Sequence, residues 1–374
     1  MVEYVAMWEA LDSWASEYGD IALMLLGILG ACVGSFLNVV VYRLPRGLSV
    51  QKPRRSFCPT CGAAIPWYLN IPLISWLMLR GKSACCHTRI AVRYFLLELA
   101  CMLLFLLIGW YFEYEALPTQ LALCLWAAAL LALLVMDAEQ MVVHPAPALF
   151  AAGCGLAAAA GDPAFTGASV STIGDALLHS LGGALGGFAL FRLVAWGGRL
   201  AFGRKVLRFT APERWQLCQV GDDIVLSLAG KQYRWSEIFS EANCRVLLEG
   251  AEIQQFPTQA GRFTLLEDAV ITPDGARHEL EAYEQLCGSC TALTLHREAM
   301  GSGDAWLALA IGALLGWQGA LFALVGGSFI GLFIAGAMRI GRGVPMPFGP
   351  ALISAAYLWL FFAPEIIAFL LRSR

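Results

Sequence analysis

Two aspartates stand where acid–base chemistry could be done at the edge of an apolar phase. Asp137 closes the run Leu133-Leu134-Val135-Met136, and Asp304 closes Met300-Gly301-Ser302-Gly303 just before another apolar run, 167 residues further on. Ionisable residues at membrane depth are costly and are functional candidates for that reason. Glu98, Glu139, His144, Asp175, His179 and Arg192 share that status. A pair of carboxylates in one apolar-walled site, one protonated and one ionised, can activate water and protonate a leaving amine. Gly301 and Gly303 would let a substrate backbone come close to Asp304, because no side chain blocks the approach. Without further context the spacing fits equally well a helix-end charge at Asp137 and a helix cap at Asp304. If both act, Asp304 opens a helix, whose positive end favours the base, and Asp137 ends one, which favours the acid.

The elements that must position these groups are apolar helices. Of 374 residues, 59% are hydrophobic and 14% charged, where a soluble chain carries about 25% charged residues. Mean hydropathy is +0.65. Such a chain reads as a polytopic membrane protein, and its net charge of −3 excludes a nucleic-acid role. Uncharged or nearly uncharged runs predict spans at 21–42, 94–112, 116–136, 145–161 and 176–198, and another at 349–371. The run 305–338 is too long for one crossing, so it is split near Gly316-Trp317-Gln318-Gly319 into two, for eight spans. Residues 1–20 carry five acidic residues and no basic one, which excludes the positive start of a cleavable signal peptide.

Nine Lys/Arg and no acid between Arg43 and Arg93 place that loop in the cytoplasm, and alternation puts both chain ends outside. The expected organisation is an external segment 1–20, a first span 21–42 and a basic cytoplasmic loop 43–93. Spans two to five follow in 94–202, then an inserted cytoplasmic domain 203–300, then the glycine motif and spans six to eight in 301–374. The inserted domain should be a small soluble β-rich unit, from runs such as Asp223–Leu228 and Arg262–Leu266 and a turn at Pro273-Asp274-Gly275. The fold class is thus an all-α membrane protein with a cysteine-bearing loop and one β-rich insertion. The 12 cysteines, several inside apolar runs, do not read as a disulfide framework.

Several segments together resemble the type IV prepilin peptidase family of GxGD intramembrane aspartic peptidases. They are Gly34-Ser-Phe-Leu-Asn38 through Tyr42-Arg43-Leu-Pro45-Arg46, Cys58-Pro-Thr-Cys61, Ile65 through Gly81, Ile90 through Tyr94 with Glu98, Asp137-Ala-Glu139-Gln-Met141, Met300 through Asp304, and Pro347-Phe348-Gly349-Pro350. The resemblance implies Asp137 and Asp304 as the catalytic pair. It implies a substrate that is the basic leader of type IV prepilins or type II secretion pseudopilins, in the inner membrane and in contact with lipid. It also implies N-methylation of the new N-terminus from S-adenosylmethionine. Family members commonly carry two CxxC pairs that could hold zinc. Here Cys58 and Cys61 are intact, Ser83 stands at the third cysteine position, and Cys86 at the fourth, so either Cys85 or His87 would complete the set.

The chain departs from the family at His144-Pro145, where Pro-Asp is usual, and at Trp306, where Lys is usual. Other readings are a GxGD peptidase with a different membrane substrate, a non-catalytic scaffold, or a transporter using the two aspartates as ion ligands.

Overall fold

The computed structural model describes residues 19–372, apart from 53–55, 59, 114, 164–169, 171, 203, 221–222, 229, 240–243, 257–259, 284, 297–300, 302 and 340–345. The expected external segment lies outside the described residues except for Gly19 and Asp20, as do Met300 and Ser302 of the glycine motif. The chain divides into two compact units, one of Met1–Phe191 with Gly303–Arg374 and one of Arg192–Ser302.

Among the described residues, the helices of 17 residues or more are α1 (Gly19–Arg43), α2 (Val92–Tyr111), α3 (Leu117–Gln140), α4 (Pro145–Gly161), α5 (Ile173–Phe202), α6 (Asp304–Ala337) and α7 (Gly349–Arg372). All but α4 are long and apolar enough to cross a membrane, and α4 is an apolar helix of 17 residues. The helices therefore supply six spans of sufficient length rather than the eight expected from uncharged runs. The discrepancy arises at the short α4 and in α6, a single 34-residue element interrupted at Gly316 (φ 68°, ψ −176°).

Why these runs pack is legible in their small residues. On α1, Gly27, Gly30 and Gly34 face α2, and a Cβ there would come within 3 Å of Leu106, Phe105 and Glu98 in turn. The contacts run in opposite chain directions, so α1 and α2 are antiparallel. Gly187 on α5 reports the shape of α6: a Cβ there would lie 2.6 Å from the Ala308 carbonyl oxygen and 3.1 Å from the Ala320 methyl. In a straight helix those two residues would be about 18 Å apart. The helix therefore folds back at Gly316 into two arms, Asp304 to Leu315 and Trp317 to Ala337. The second arm runs antiparallel to α7, with Gly319 against Trp359 and Gly327 against Leu352. At the centre lies α3, tied to both partners: Trp126 Nε1 donates to the Ala310 carbonyl at 2.9 Å, and the Tyr357 hydroxyl to that of Ala127 at 2.7 Å.

The second unit carries one antiparallel sheet of eight strands: β1 (Arg204–Val220), β2 (Asp223–Leu228), β3 (Lys231–Arg234), β4 (Arg245–Ile253), β5 (Ala260–Leu265), β6 (Ala269–Ile271), β7 (Arg277–Glu279) and β8 (Gln285–His296), in the order β3-β2-β1-β8-β4-β5-β6-β7. Apolar residues two apart, such as Trp215/Leu217, Val246/Leu248, Phe263/Leu265 and Leu293/Leu295, line one core. Long β1 tolerates Pro212 because its pairing with β8 shifts between Arg208 and Glu213, where no ladder bond is needed. Cys287 and Cys290 both lie on β8, where residues three apart point to opposite faces. Cys290 is buried, and Cys287 donates to Gln254 Oε1 at 2.9 Å. That CxxC is a strand sequence and not a chelating pair.

Candidate functional site

Two helix ends meet at Asp137, and a third helix starts against Val143, six residues on. Its helix, α3, ends at Gln140, where Met141 turns into the left-handed region (φ 53°) and returns its N–H to the Asp137 carbonyl at 2.9 Å. The Asp137 Oδ2 accepts the backbone N–H of Gly349, the first residue of α7, at 2.8 Å. A Cβ at Gly349 would lie 2.7 Å from that same oxygen, so only glycine permits this approach. Asp304 opens α6, and the residue before it, Gly303, is packed so that a Cβ would lie 2.7 Å from the Val143 Cβ. Val143 follows Asp137 by six residues, past the end of α3.

The two aspartates are thus set at the same end of the bundle, and both are enclosed, with 5% and 7% of their surface exposed. The adjoining turns of the three helices are apolar: Met136, Leu307 and Ile353 are fully buried. The sequence reading of roles used only each aspartate's own helix end. The structure adds a second terminus at Asp137, the N–H-bearing start of α7.

The residues around the pair are accounted for differently from expectation. Glu98 accepts the backbone N–H of Leu73 at 2.7 Å rather than pairing with the nearby Arg89 or Arg93. Arg93 forms its ion pair with Glu139, two residues beyond Asp137. His144 caps α4, its Nδ1 accepting the Ala146 N–H at 3.1 Å, ahead of a proline in the first turn. Trp306 packs edge-to-face on Phe188 of α5, ring centroids 5.3 Å apart. Gly301 is half-buried.

A second constellation occupies the basic loop. Two tight turns each carry a left-handed residue after the second cysteine position, Gly62 (φ 72°) after Cys61 and His87 (φ 56°) after Cys86. The Gly62 N–H returns to the Cys58 carbonyl and the His87 N–H to that of Ser83. Facing each other, they bring the sulfurs of Cys58, Cys61, Cys85 and Cys86 within 4.8 Å of one another. The Cys58–Cys86, Cys61–Cys85 and Cys85–Cys86 sulfur pairs are 3.7, 3.3 and 3.8 Å apart. A tetrahedral zinc with Zn–S of about 2.3 Å needs sulfurs about 3.8 Å apart, so the four thiols fit that ion. His87 serves the turn and stands outside the cluster.

The thiols are electrostatically sorted. Hydrogen bonds from the Ser83 and Thr88 hydroxyls lower the Cys86 thiol to about 6, so it is the readiest thiolate. Backbone N–H groups of Cys61 and Thr60 also lower Cys58. At Cys61 the Ala63 backbone pulls downward, but hydrogen bonding to Cys85 and burial outweigh it and push the thiol up to about 12. Ser83 thus acts on Cys86 as a hydroxyl partner. The vicinal Cys85 supplies the fourth sulfur. Sequence spacing did not single out that hydroxyl role; only the folded turn shows it.

Comparison with known proteins adds a family to this geometry. Residues 28–112 match a family model described as the bacterial peptidase A24 N-terminal domain, and residues 283–336 match one described as the type IV leader peptidase family. The first takes in the cysteine loop and the second Asp304, while Asp137 lies between them. Among curated proteins, the chain is 33% identical over 215 residues to a prepilin leader peptidase/N-methyltransferase of Klebsiella pneumoniae, covering 56% of this chain and 87% of that protein. It is 35% identical over 209 residues to one of Pectobacterium carotovorum, covering 49% and 69%. With one of Myxococcus xanthus it shares 35% identity over 231 residues, and there it spans only 60% of the relative's length. No solved structure matches the chain.

Proposed function

The chain belongs to the type IV leader peptidase family, and from that premise we propose that it is an intramembrane aspartic endopeptidase acting through Asp137 and Asp304. The observation that carries this reading is the enclosure of two carboxylates, one on each side of a 167-residue stretch, at one end of an apolar bundle. An exposed helix-end charge would have no reason to be buried and bonded to a distant backbone N–H. One aspartate holds a proton and the other is ionised. The ionised partner takes a proton from water as it attacks the scissile carbonyl, and the protonated partner delivers its own to the leaving amine. Repulsion between two carboxylates in one site supplies most of that division.

Gly349 positions Asp137 through its N–H. Gly303 lets the start of α6 pack directly against Val143, where any side chain would collide, and so serves the placement of Asp304. We take the substrate to be the basic leader of a type IV prepilin, in line with the relatives' name of prepilin leader peptidase, or of the related type II secretion pseudopilins. The cysteine loop is read as a zinc knuckle held by Cys58, Cys61, Cys85 and Cys86. That ion would clamp two turns of loop and supply no step of the cleavage. The N-methyltransferase part of the relatives' names carries over as a proposed second activity on the newly exposed amine, with S-adenosylmethionine as methyl donor and no residue here assigned to it.

Counting the short α4 and the two arms of α6 as separate membrane segments gives eight, of which the first arm, 12 residues or about 18 Å long, reaches only part of the way across a core of about 30 Å. With the 43–93 loop in the cytoplasm, the chain ends lie outside, in an inner-membrane protein, and the inserted domain lies on the cytoplasmic side. Co-expression with a prepilin, followed by electrophoretic detection of leader removal, tests the function. A shift to the mature size that depends on this protein is the expected result; an unshifted prepilin beside well-expressed protein contradicts it.

A further inference from the structure

The loop between α1 and α2 holds a stretch that its charge pattern alone assigns to water. From Pro66 to Leu79 there is no charged residue, and Arg80 and Lys82 follow at once. A short turn over Trp67–Leu69 and a five-residue helix at Ile74–Met78 shape it. Its large side chains face outward: Trp67 is 82% exposed and Met78 75%, with Tyr68, Ile71, Ile74 and Leu77 also exposed. In an aqueous loop this would be a contiguous apolar patch of a kind that soluble surfaces rarely carry.

What covers it follows from its depth. Helix α2 has 20 residues, about 30 Å of rise, so it must use its whole length to cross a hydrocarbon core of about 30 Å. Phe95 and Glu98 then lie about 5 and 9 Å inside the start of α2. The loop is fastened at those two levels. Trp76 stacks on Phe95 with ring centroids 5.1 Å apart, and the Leu73 N–H reaches Glu98 Oε2 at 2.7 Å. Antiparallel α1 confirms the level, with Gly34 against Glu98 and the Asn38 amide donating to the Tyr94 carbonyl at 3.1 Å.

Backbone at such depth must have its N–H groups satisfied without water. Here the N–H groups of Leu69, Asn70, Ile74, Ser75, Leu77 and Leu79 return to carbonyls within the segment. The tight turn at Leu73 (φ 62°) leaves that residue's own N–H to Glu98, which accepts it. Glu98 thereby has a task, the acceptor for a backbone group that the turn would otherwise strand.

We infer that residues 66–79 form a loop that dips into the lipid bilayer beside α2, with the acyl chains of the cytoplasmic leaflet as the partner of its outward face. Tyr68 and Trp67 stand at the interface, and Arg80 and Lys82 lie at the headgroups. The basic loop is then two parts, a thiol knuckle in water and an apolar hairpin in lipid. Nothing in this placement depends on peptidase activity.

The test places an environment-sensitive fluorescent amino acid at Met78, and separately at Leu77, in the full chain reconstituted into phosphatidylcholine/phosphatidylglycerol nanodiscs. Both sites are exposed, so neither probe disturbs packing, and retention of a single detergent-gel-filtration peak checks this. Nitroxide-labelled acyl chains should quench both positions several-fold more than iodide in the buffer does. A probe at exposed Gln51 should show the reverse, and one at Leu103 on α2 should be quenched by lipid. Quenching of positions 77 and 78 by iodide, with none from nitroxide lipid, overturns the placement. So does emission that is insensitive to lipid but shifts when a prepilin peptide is added, which would make the face a substrate platform.

Discussion

Gly349 is the residue whose importance is hardest to infer from its type and easiest to test. Replacing it with alanine would put a methyl 2.7 Å from the Asp137 oxygen that its N–H now holds. A carboxylate displaced by that much loses its alignment, and misplacement on the order of 1 Å can cost about 10²-fold in rate. Gly349→Ala should therefore lower kcat on a prepilin by roughly that factor, with KM little changed and the protein still inserted. Glu139→Gln separates neighbourhood from chemistry. It breaks a part-exposed ion pair with Arg93 that is worth about 0–1 kcal/mol, and it should leave readily measured cleavage. The two aspartates were legible as candidates from sequence because each borders an apolar run and the surrounding motifs match a family. Their partners were not. Gly349 lies 212 residues from Asp137, and Glu98 has two nearby cations in sequence yet spends its oxygen on a backbone N–H.

Two elements carry predictions of their own. In the thiol knuckle, purified protein should hold about one zinc per chain, and Cys58→Ser should remove it and leave the loop open to protease. A loop equally resistant without metal would show that its turns are held by hydrogen bonds alone. At the other end of the bundle, Glu115 precedes α3, and burial followed by its hydrogen bond and repulsion with Asp162 raises it from 4.5 to about 7. Because the folded form holds the proton over a range where the unfolded chain has released it, this contribution is present below pH 4.5. It is lost as pH rises toward and through 7. The unfolding temperature in detergent should fall between about pH 4.5 and 7, and Glu115→Gln should flatten that fall. Among the elements, the break of α6 was legible, since 34 uncharged residues with Gly316 in the middle exceed one crossing. So were strands β2 and β5, from apolar–polar runs. Strand β1 was not, because Pro212 argues against a strand until the irregular pairing beside it is seen.

For the molecule as a whole, two pieces of chain that are far apart in sequence bring one carboxylate each to a single end of a helix bundle, with a large sheet-bearing unit inserted between them. Composition was enough to read a membrane protein, and cation placement is the source of the sidedness proposed for it. What composition could not convey is that an uncharged stretch of the basic loop is fastened to α2 by Trp76 and Glu98, because that depends on which side chains meet across 25 residues. The account stands or falls on the carboxylate pair. Its most direct test is cleavage of a purified prepilin by the wild-type chain, Asp137→Asn, Asp304→Asn and the double variant in liposomes, at matched amounts of inserted protein. Asparagine keeps size and hydrogen bonding but cannot release or share the proton. Each single variant should lose roughly 10³-fold or more, and the double variant should be no worse than either, because the residues act as a unit. Substantial leader removal by either single variant would contradict the dyad.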